Sequence, residues 1–436
     1  MHRVTPILGA VLLLAALPAQ ANSPWRISKD HWSDTEERGF TRFVQAIGET
    51  NCASAEACLN SPANPYRKAA ALPAVNVDCA KWPYLLRAYY AWNNGLPFSY
   101  ASAVNGEDDD LRYTKTADYA ISRLDLVDQG TGIDADAAIR AMLKSVFTGM
   151  YRIDPNEIVG LTSDFYSPLV QRNSIRPGTA LYDTQGHVGI VYKVGADGRV
   201  YYMDAHPDFT ITRGVYGPQF PRSAMQLGGG FKSWRPFHLV GATRDAQGHL
   251  IGGHMVLATN AQIADFSLVQ YTGNSRVQNE AAKASFQYHG IDVGPYEYVR
   301  VVLSGGKTTE APVYELKATL RNVCGELKRP AKSRRDREIR EALVALRKTL
   351  AQDADLWVHR DPRLAYDGAF LKQDLAKAYE EEAAACTLPG GAAASFERAL
   401  QQKTNMAGAS SGESIKSLIG AIGEQASLQV MSPIGR

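Results

Sequence analysis

The chain has 436 residues, 45% of them hydrophobic and 21% charged, and a net charge of +2 at neutral pH. These values are ordinary for a globular protein and allow two or three domains. Neither sign of charge is in excess, so no nucleic-acid partner is implied.

The N-terminus reads MHRVTPILGAVLLLAALPAQANSPW. A short basic start, an apolar run from Ile7 to Leu17 and the small-x-small triplet Ala19-Gln20-Ala21 predict a cleavable signal peptide over 1–21. The run is too short for a membrane span, and no later stretch is long and apolar enough for one. The expected location is therefore periplasmic or secreted, an oxidising space in which disulfides persist.

Residues 22–75 are mixed and polar and include NCASAEAC, which places Cys52 and Cys58 close enough to bridge. Five cysteines occur in all, an odd number. Cys324 and Cys386 lie in two predicted helices and would staple them, which leaves Cys79 unpaired; four cysteines alone allow three connectivities. A free thiol in an oxidising space is exposed to oxidation, so its presence hints at chemistry.

CAKWPYLLRAYYAW then spaces Trp82, Leu85, Leu86, Tyr89 and Tyr90 as a helix, with Cys79 in its first turn and Asn94-Gly95 at its end. Pro83 is tolerated so early in the helix because the first N–H groups have no intrahelical partner. NGEDDD (105–110) reads as an acidic loop, and 134–150 as an amphipathic helix. Strand patterns fill Arg176 to Phe209 and Phe237 to Tyr271. LGGGFKSWRPF (227–237) lacks the Lys-Ser/Thr ending of a phosphate loop and reads as turn plus strand, with Trp234 as core. His249 and His254 read as surface residues. A strand-rich extension is expected over 251–308 and a helical region over 309–405. The helical region carries one stripe of Val313, Leu316, Leu320 and Val323 and another of Ile339, Leu343, Leu346 and Leu350. The basic run at 328–337 reads as solvated loop, and 406–436 as a flexible tail.

HVGIVYKV-GADG-RVYYMDAH reads as a hairpin. With Gly195 to Gly198 as a four-residue loop, Val194 pairs with Arg199, Gly189 faces Asp204 and His187 faces His206. An odd loop without a bulge would put the two strands out of phase. One face then carries imidazole, carboxylate and imidazole, with room left by Gly189. A thiol at a helix N-terminus is acidified by the helix dipole and by a nearby imidazolium. Cys79 as nucleophile, His187 as base and Asp204 as orienter make a triad, with His206 as the alternative third residue. The Cys79 backbone N–H would serve an oxyanion, with Tyr66 or Asn76 as side-chain candidates. On its own, Cys79 would read as a buried space-filler; the hairpin face tips the balance toward catalysis. His187, Asp204, His206 and Asp208 also have zinc-ligating chemistry, but no HExxH or CxxC spacing accompanies them, so no metal or other cofactor is expected.

NVDCAKWPYLLRAYY and RPGTALYDTQGHVGIVY resemble the cysteine-helix and histidine-strand motifs of NlpC-type papain-like cell-wall peptidases. The resemblance covers about 76–209 and departs from the family at Thr179, where the family has aspartate. The long interval from Cys79 to His187 implies an insertion, about 100–172, that would cap the cleft. The resemblance implies an α+β fold with a papain-like core over 76–250, its cysteine helix packed on an antiparallel sheet. It also implies cleavage of amide bonds in a peptide or cell-wall substrate without a cofactor, and it matches Asp204 better than His206. A transglutaminase-like acyltransferase has the same Cys-His-Asp order. A non-catalytic envelope module, binding a protein partner through the C-terminal helices, is the third class.

Overall fold

The computed structural model describes residues 24–67, 75–156, 159–196, 198–217, 220–274, 285–288, 291–305, 312–328, 368–388 and the single positions Phe396 and Arg398. The expected signal segment, the basic run past Lys328, the stripe Ile339 to Leu350 and the tail 406–436 lie outside the described residues.

Helix α1 (Asp34–Gly48) starts where the Ser33 hydroxyl accepts the Thr35 N–H, and Asp34, Glu36 and Glu37 put negative charge in its first turn. Phe40, Phe43, Val44 and Ile47 recur at helical spacing and are buried. A short helix α2 (Ala55–Leu59) follows, capped by Ser54 and tied to the preceding loop by the Cys52–Cys58 disulfide. Helix α3 (Lys81–Asn94) is the core element, with every residue from Trp82 to Trp92 buried. It includes Arg87, whose charge is balanced by Glu37 at 2.5 Å and whose guanidinium stacks 3.3 Å above the Trp32 ring. Gly95 ends α3 with φ +61°, and a side chain there would collide with Ser28 Oγ.

Strands β1 (Phe98–Asn105) and β2 (Tyr119–Leu126) form a separate hairpin, followed by α4 (Ala135–Ser145). The helix expected over 134–150 stops at Ser145, whose hydroxyl closes the last turn on the Met142 carbonyl; buried Val146 is extended, and a 3-10 turn covers Thr148–Tyr151. The main sheet contains β3 (Phe165–Tyr166), β4 (Ala180–Asp183), β5 (His187–Val194), β6 (Val200–Ala205), β7 (Ile211–Val215) and β8 (Gly230–Trp234). All neighbours are antiparallel, in the order β3-β8-β4-β5-β6-β7.

Side chains alternate across this sheet. Ala180, Tyr182, Val188, Ile190, Met203 and Ala205 join α1 and α3 in the larger core. Leu181, Val191, Val200, Tyr202 and Phe231 form a second core with Phe286 and with Tyr298, Val299 and Leu303 of the helix Pro295–Ser304. The stretch 251–308 is therefore mixed: strands such as His254–Leu257 and Phe286–Tyr288 alternate with the helices Val269–Thr272 and Pro295–Ser304.

The segment 100–172 is built into the fold. Ile139, Met142, Tyr151 and Phe165 belong to the larger core, and β3 is a strand of the main sheet. From this segment, Tyr113 in the loop between β1 and β2 approaches Gly186, the residue whose carbonyl the thiol meets. In the C-terminal region, the helix Pro312–Leu327 buries Leu316, Leu320 and Val323 and is bridged to the end of the helix Gly368–Ala385 by Cys324–Cys386. Lys317–Glu381 and Arg321–Glu382 ion pairs line the same contact, each at 2.6 Å. No described helix is long and apolar enough to cross a membrane.

Candidate active site

The thiol sits one residue past the residue that nucleates its helix. Asp78 accepts the Lys81 N–H on both its carbonyl (3.2 Å) and its Oδ1 (3.2 Å), and its carbonyl also takes the Trp82 N–H at 3.1 Å. Asp78 thus acts as the N-cap and places Cys79 in the first turn. Lys81 Nζ at 2.5 Å from Asp78 Oδ2 offsets the carboxylate charge beside the thiol. Tyr151, fully buried, donates to the Ala80 carbonyl at 2.8 Å and pins the helix start. Cys79 is free and buried, and its Sγ lies 3.8 Å from the Gly186 carbonyl, in the turn that leads into β5.

His187, the next residue, lies near enough for the thiol to act on its charge. Its Nε2 lies 2.6 Å from Asp204 Oδ2, with the two side chains 23% and 6% exposed. Thr212 Oγ1 donates to Asp204 Oδ1 at 2.6 Å, and His206 Nε2 meets Thr212 Oγ1 at 2.8 Å and Asp204 Oδ2 at 3.3 Å. Burial opposes charge on both members of the central pair. For His187 it is outweighed by the hydrogen bonds and charges of Asp204 and Cys79, and the imidazole is held well above its ordinary value. For Asp204 it is outweighed by the charge of His206 and by the hydrogen bonds of both imidazoles, and the carboxyl is held well below its ordinary value.

The hairpin reaches this geometry by a different route from the expected one. Val194 pairs with Val200, so the connection is the odd run 195–199, and an irregularity at Tyr192 restores the phase before Val191 pairs with Tyr202 and Ile190 with Met203. Continuing that register sets Gly189 level with Asp204 and His187 level with His206. The space above Gly189 does not stay open between the site residues: the Tyr202 ring fills it, 2.9 Å from where a side chain would begin.

Tyr66 is not brought to the thiol. Its ring packs on Phe43 and Tyr90, and Tyr90 is eleven residues along the helix from Cys79, roughly 16 Å at the α-helical rise. Asn76 is exposed, three residues before Cys79. Asp208 turns away from the histidines to its own loop, where Oδ1 accepts the Thr210 hydroxyl at 2.6 Å. Trp234 packs against Phe165 and Tyr84. Among the described residues no group of three or more His, Cys, Asp or Glu is placed to hold a metal ion.

Several site residues escaped the sequence reading. Thr212 pairs directly with Asp204 across β6 and β7, because a three-residue turn (207–209) joins those strands. The signal was present in HPDFT, where Pro207 suits the first turn position, but Phe209 takes the φ +66° that a glycine would mark. Phe220 stands beside His187, ring centroids 6.4 Å apart. Tyr113, from the loop between β1 and β2, lies 3.1 Å from where a Gly186 side chain would begin and so roofs the turn next to the thiol. Arg152 anchors that roof, donating to the carbonyls of Thr114 (2.7 Å) and Thr184 (2.8 Å).

Compared with protein-family models, curated proteins and solved structures, the chain matches none.

Proposed function

We propose that the protein is a secreted or periplasmic thiol hydrolase that cleaves amide bonds, with Cys79 as nucleophile, His187 as proton carrier and Asp204 as orienter. The observation that carries this reading is the 2.6 Å contact of His187 with a buried Asp204, on an imidazole whose charge is also favoured by a free thiol at a helix start. The two disulfides suit an oxidising compartment. A buried helix packed on an antiparallel sheet supports a papain-like core, and the NlpC-type motifs supply cell-wall peptides as the substrate class.

In this mechanism the Asp204 carboxylate accepts His187 Nε2–H, so Nδ1 is the nitrogen that faces the thiol and exchanges its proton. The Cys79 thiolate attacks the scissile carbonyl and the C–N bond breaks. His187 Nδ1–H passes its proton to the departing amine, leaving a thioester. The same Nδ1 then takes a proton from water, whose oxygen attacks the thioester and releases the acid and the thiol. The Cys79 backbone N–H, an unpaired donor of the first helical turn, stabilises the oxyanion, with the Asn76 amide as the side-chain candidate.

Mass spectrometry of peptidoglycan fragments incubated with the protein tests the reading. New amide-cleavage products are expected, and none with Cys79→Ala. Identical product spectra for the two proteins would overturn it, and an added primary amine in the same assay distinguishes transfer from hydrolysis.

A further inference from the structure

Asp204 accepts more than the one hydrogen bond a simple triad requires. Three donors converge on it: His187 Nε2 at 2.6 Å and His206 Nε2 at 3.3 Å on Oδ2, and Thr212 Oγ1 at 2.6 Å on Oδ1. Thr212 has one proton and gives it to Asp204, so its contact with His206 at 2.8 Å needs the proton on His206 Nε2. The imidazole of His206 is therefore a donor toward both Thr212 and Asp204. Its ring centroid is 5.6 Å from that of His187, and the path between them runs through the carboxylate. His206 and Asp204 are buried, with side chains 8% and 6% exposed, while His187 and Thr212 are half-buried.

We propose that Thr212 and His206 are positioning residues that clamp the Asp204 carboxylate from both sides, fixing its rotamer and thereby the Nε2–H tautomer and the ring orientation of His187. The proposal rests on the thiol-hydrolase reading of the same site. It gives His206 a role other than that of an alternative third catalytic residue: it acts on His187 through Asp204 and makes no contact with the reacting atoms. It also gives β7 a task, since Thr212 is held by a strand whose Arg213 is tied to the Gly48 carbonyl at 2.7 Å and to the Cys52 carbonyl at 2.9 Å. The ionisable groups that interact with this cluster are Cys79 from the helix start, through His187, and Arg213 from β7, which feels the Asp204 charge.

The test is the pH profile of Cys79 alkylation by iodoacetamide in the full chain, with thermal unfolding recorded alongside. Thr212→Val is nearly isosteric and removes the donor; His206→Leu removes the other. Each is expected to slow alkylation near pH 6 by about tenfold, the scale of one pKa unit. Thr212→Ser and His206→Gln, which keep a donor in place, should recover most of the rate. In a His187→Ala background neither loss should have further effect, because the clamp acts only through that imidazole. Folded Thr212→Val and His206→Leu proteins with the wild-type profile, or an equal loss in the His187→Ala background, would overturn the clamp. The underlying reading is tested separately by Asp204→Asn: an unchanged profile there removes the orienter and the clamp with it, whereas a changed profile beside unchanged clamp variants removes the clamp alone.

Discussion

In the proposed mechanism His187 divides its work between two nitrogens, Nε2 committed to Asp204 at 2.6 Å and Nδ1 left for the thiol. A carboxylate both fixes the tautomer and stabilises the imidazolium, whereas a neutral imidazole does only the first. Asp204→Asn is therefore expected to lower turnover on the order of 10²–10⁴-fold, and His206→Asn far less, at similar folding stability. Steady-state kinetics on one substrate decides it; a dead His206→Asn beside an active Asp204→Asn would reverse the roles. The same pair makes stability depend on pH with a definite sign. His187 has its pKa raised from 6.5, so its contribution is complete below 6.5 and is lost as pH climbs through the raised value. Asp204 has its pKa lowered from 3.8, so its contribution is complete above 3.8 and is lost as pH falls through the depressed value. The wild type should lose melting temperature above pH 6.5 more steeply than His187→Ala does. Parallel melting curves for the two proteins would show that the pair adds nothing to folding. The identities of Cys79, His187 and Asp204 were legible because a strand period and a helix start are local patterns. Thr212 was not, because its turn uses Phe209 where glycine would have flagged the conformation.

At the scale of elements, a regular loop was expected between β5 and β6, and an odd loop plus a bulge was found, with the same residues facing one another. The bulge is a tertiary effect: Tyr192 packs directly over Gly48 at the end of α1, a contact no local pattern announces. Helix α1 itself was legible and passed over; Ser33 and the stripe Phe40, Phe43, Val44, Ile47 carry both of its signals. For the insertion, the amphipathic face of α4 was readable but its partner was not. Because Ile139 and Met142 are fully buried in the core shared with α3, deletion of 105–150 should abolish the cooperative unfolding transition. If the segment caps a cleft it does so through the loop, so Tyr113→Ala should instead leave the melting temperature within about 1–2 °C and change KM, since an exposed loop side chain is worth little to stability. A deletion protein that unfolds cooperatively, or a Tyr113→Ala protein that fails to fold, would reverse this partition.

Across the whole molecule, the two disulfides do different work although both are largely buried. Cys324–Cys386 closes a separation of 62 residues between two C-terminal helices and contributes no residue to the candidate site, although the first of these helices, Pro312–Leu327, packs against β7. Loop-closure entropy for a ring of that size is worth about 4 kcal/mol. Cys52–Cys58 closes only 6 residues, worth about 2 kcal/mol, but its loop is the shelf on which β7 rests. Ile211 donates to the Ala53 carbonyl at 2.9 Å, and Arg213 binds the Cys52 and Gly48 carbonyls on either side of Thr212. Stability and reactivity should therefore separate. The Cys324→Ser, Cys386→Ser double variant is expected to lose the larger share of stability in the C-terminal helices while Cys79 is alkylated at the wild-type rate. The Cys52→Ser, Cys58→Ser variant should be less destabilised yet alkylate more slowly at Cys79, because a loosened β7 no longer holds Thr212 against Asp204. Denaturant titration and timed iodoacetamide labelling of the same samples measure both quantities. Slowed labelling in the Cys324/Cys386 variant, or unaltered labelling in the Cys52/Cys58 variant, would show that the path from the small disulfide loop through β7 to the thiol does not operate.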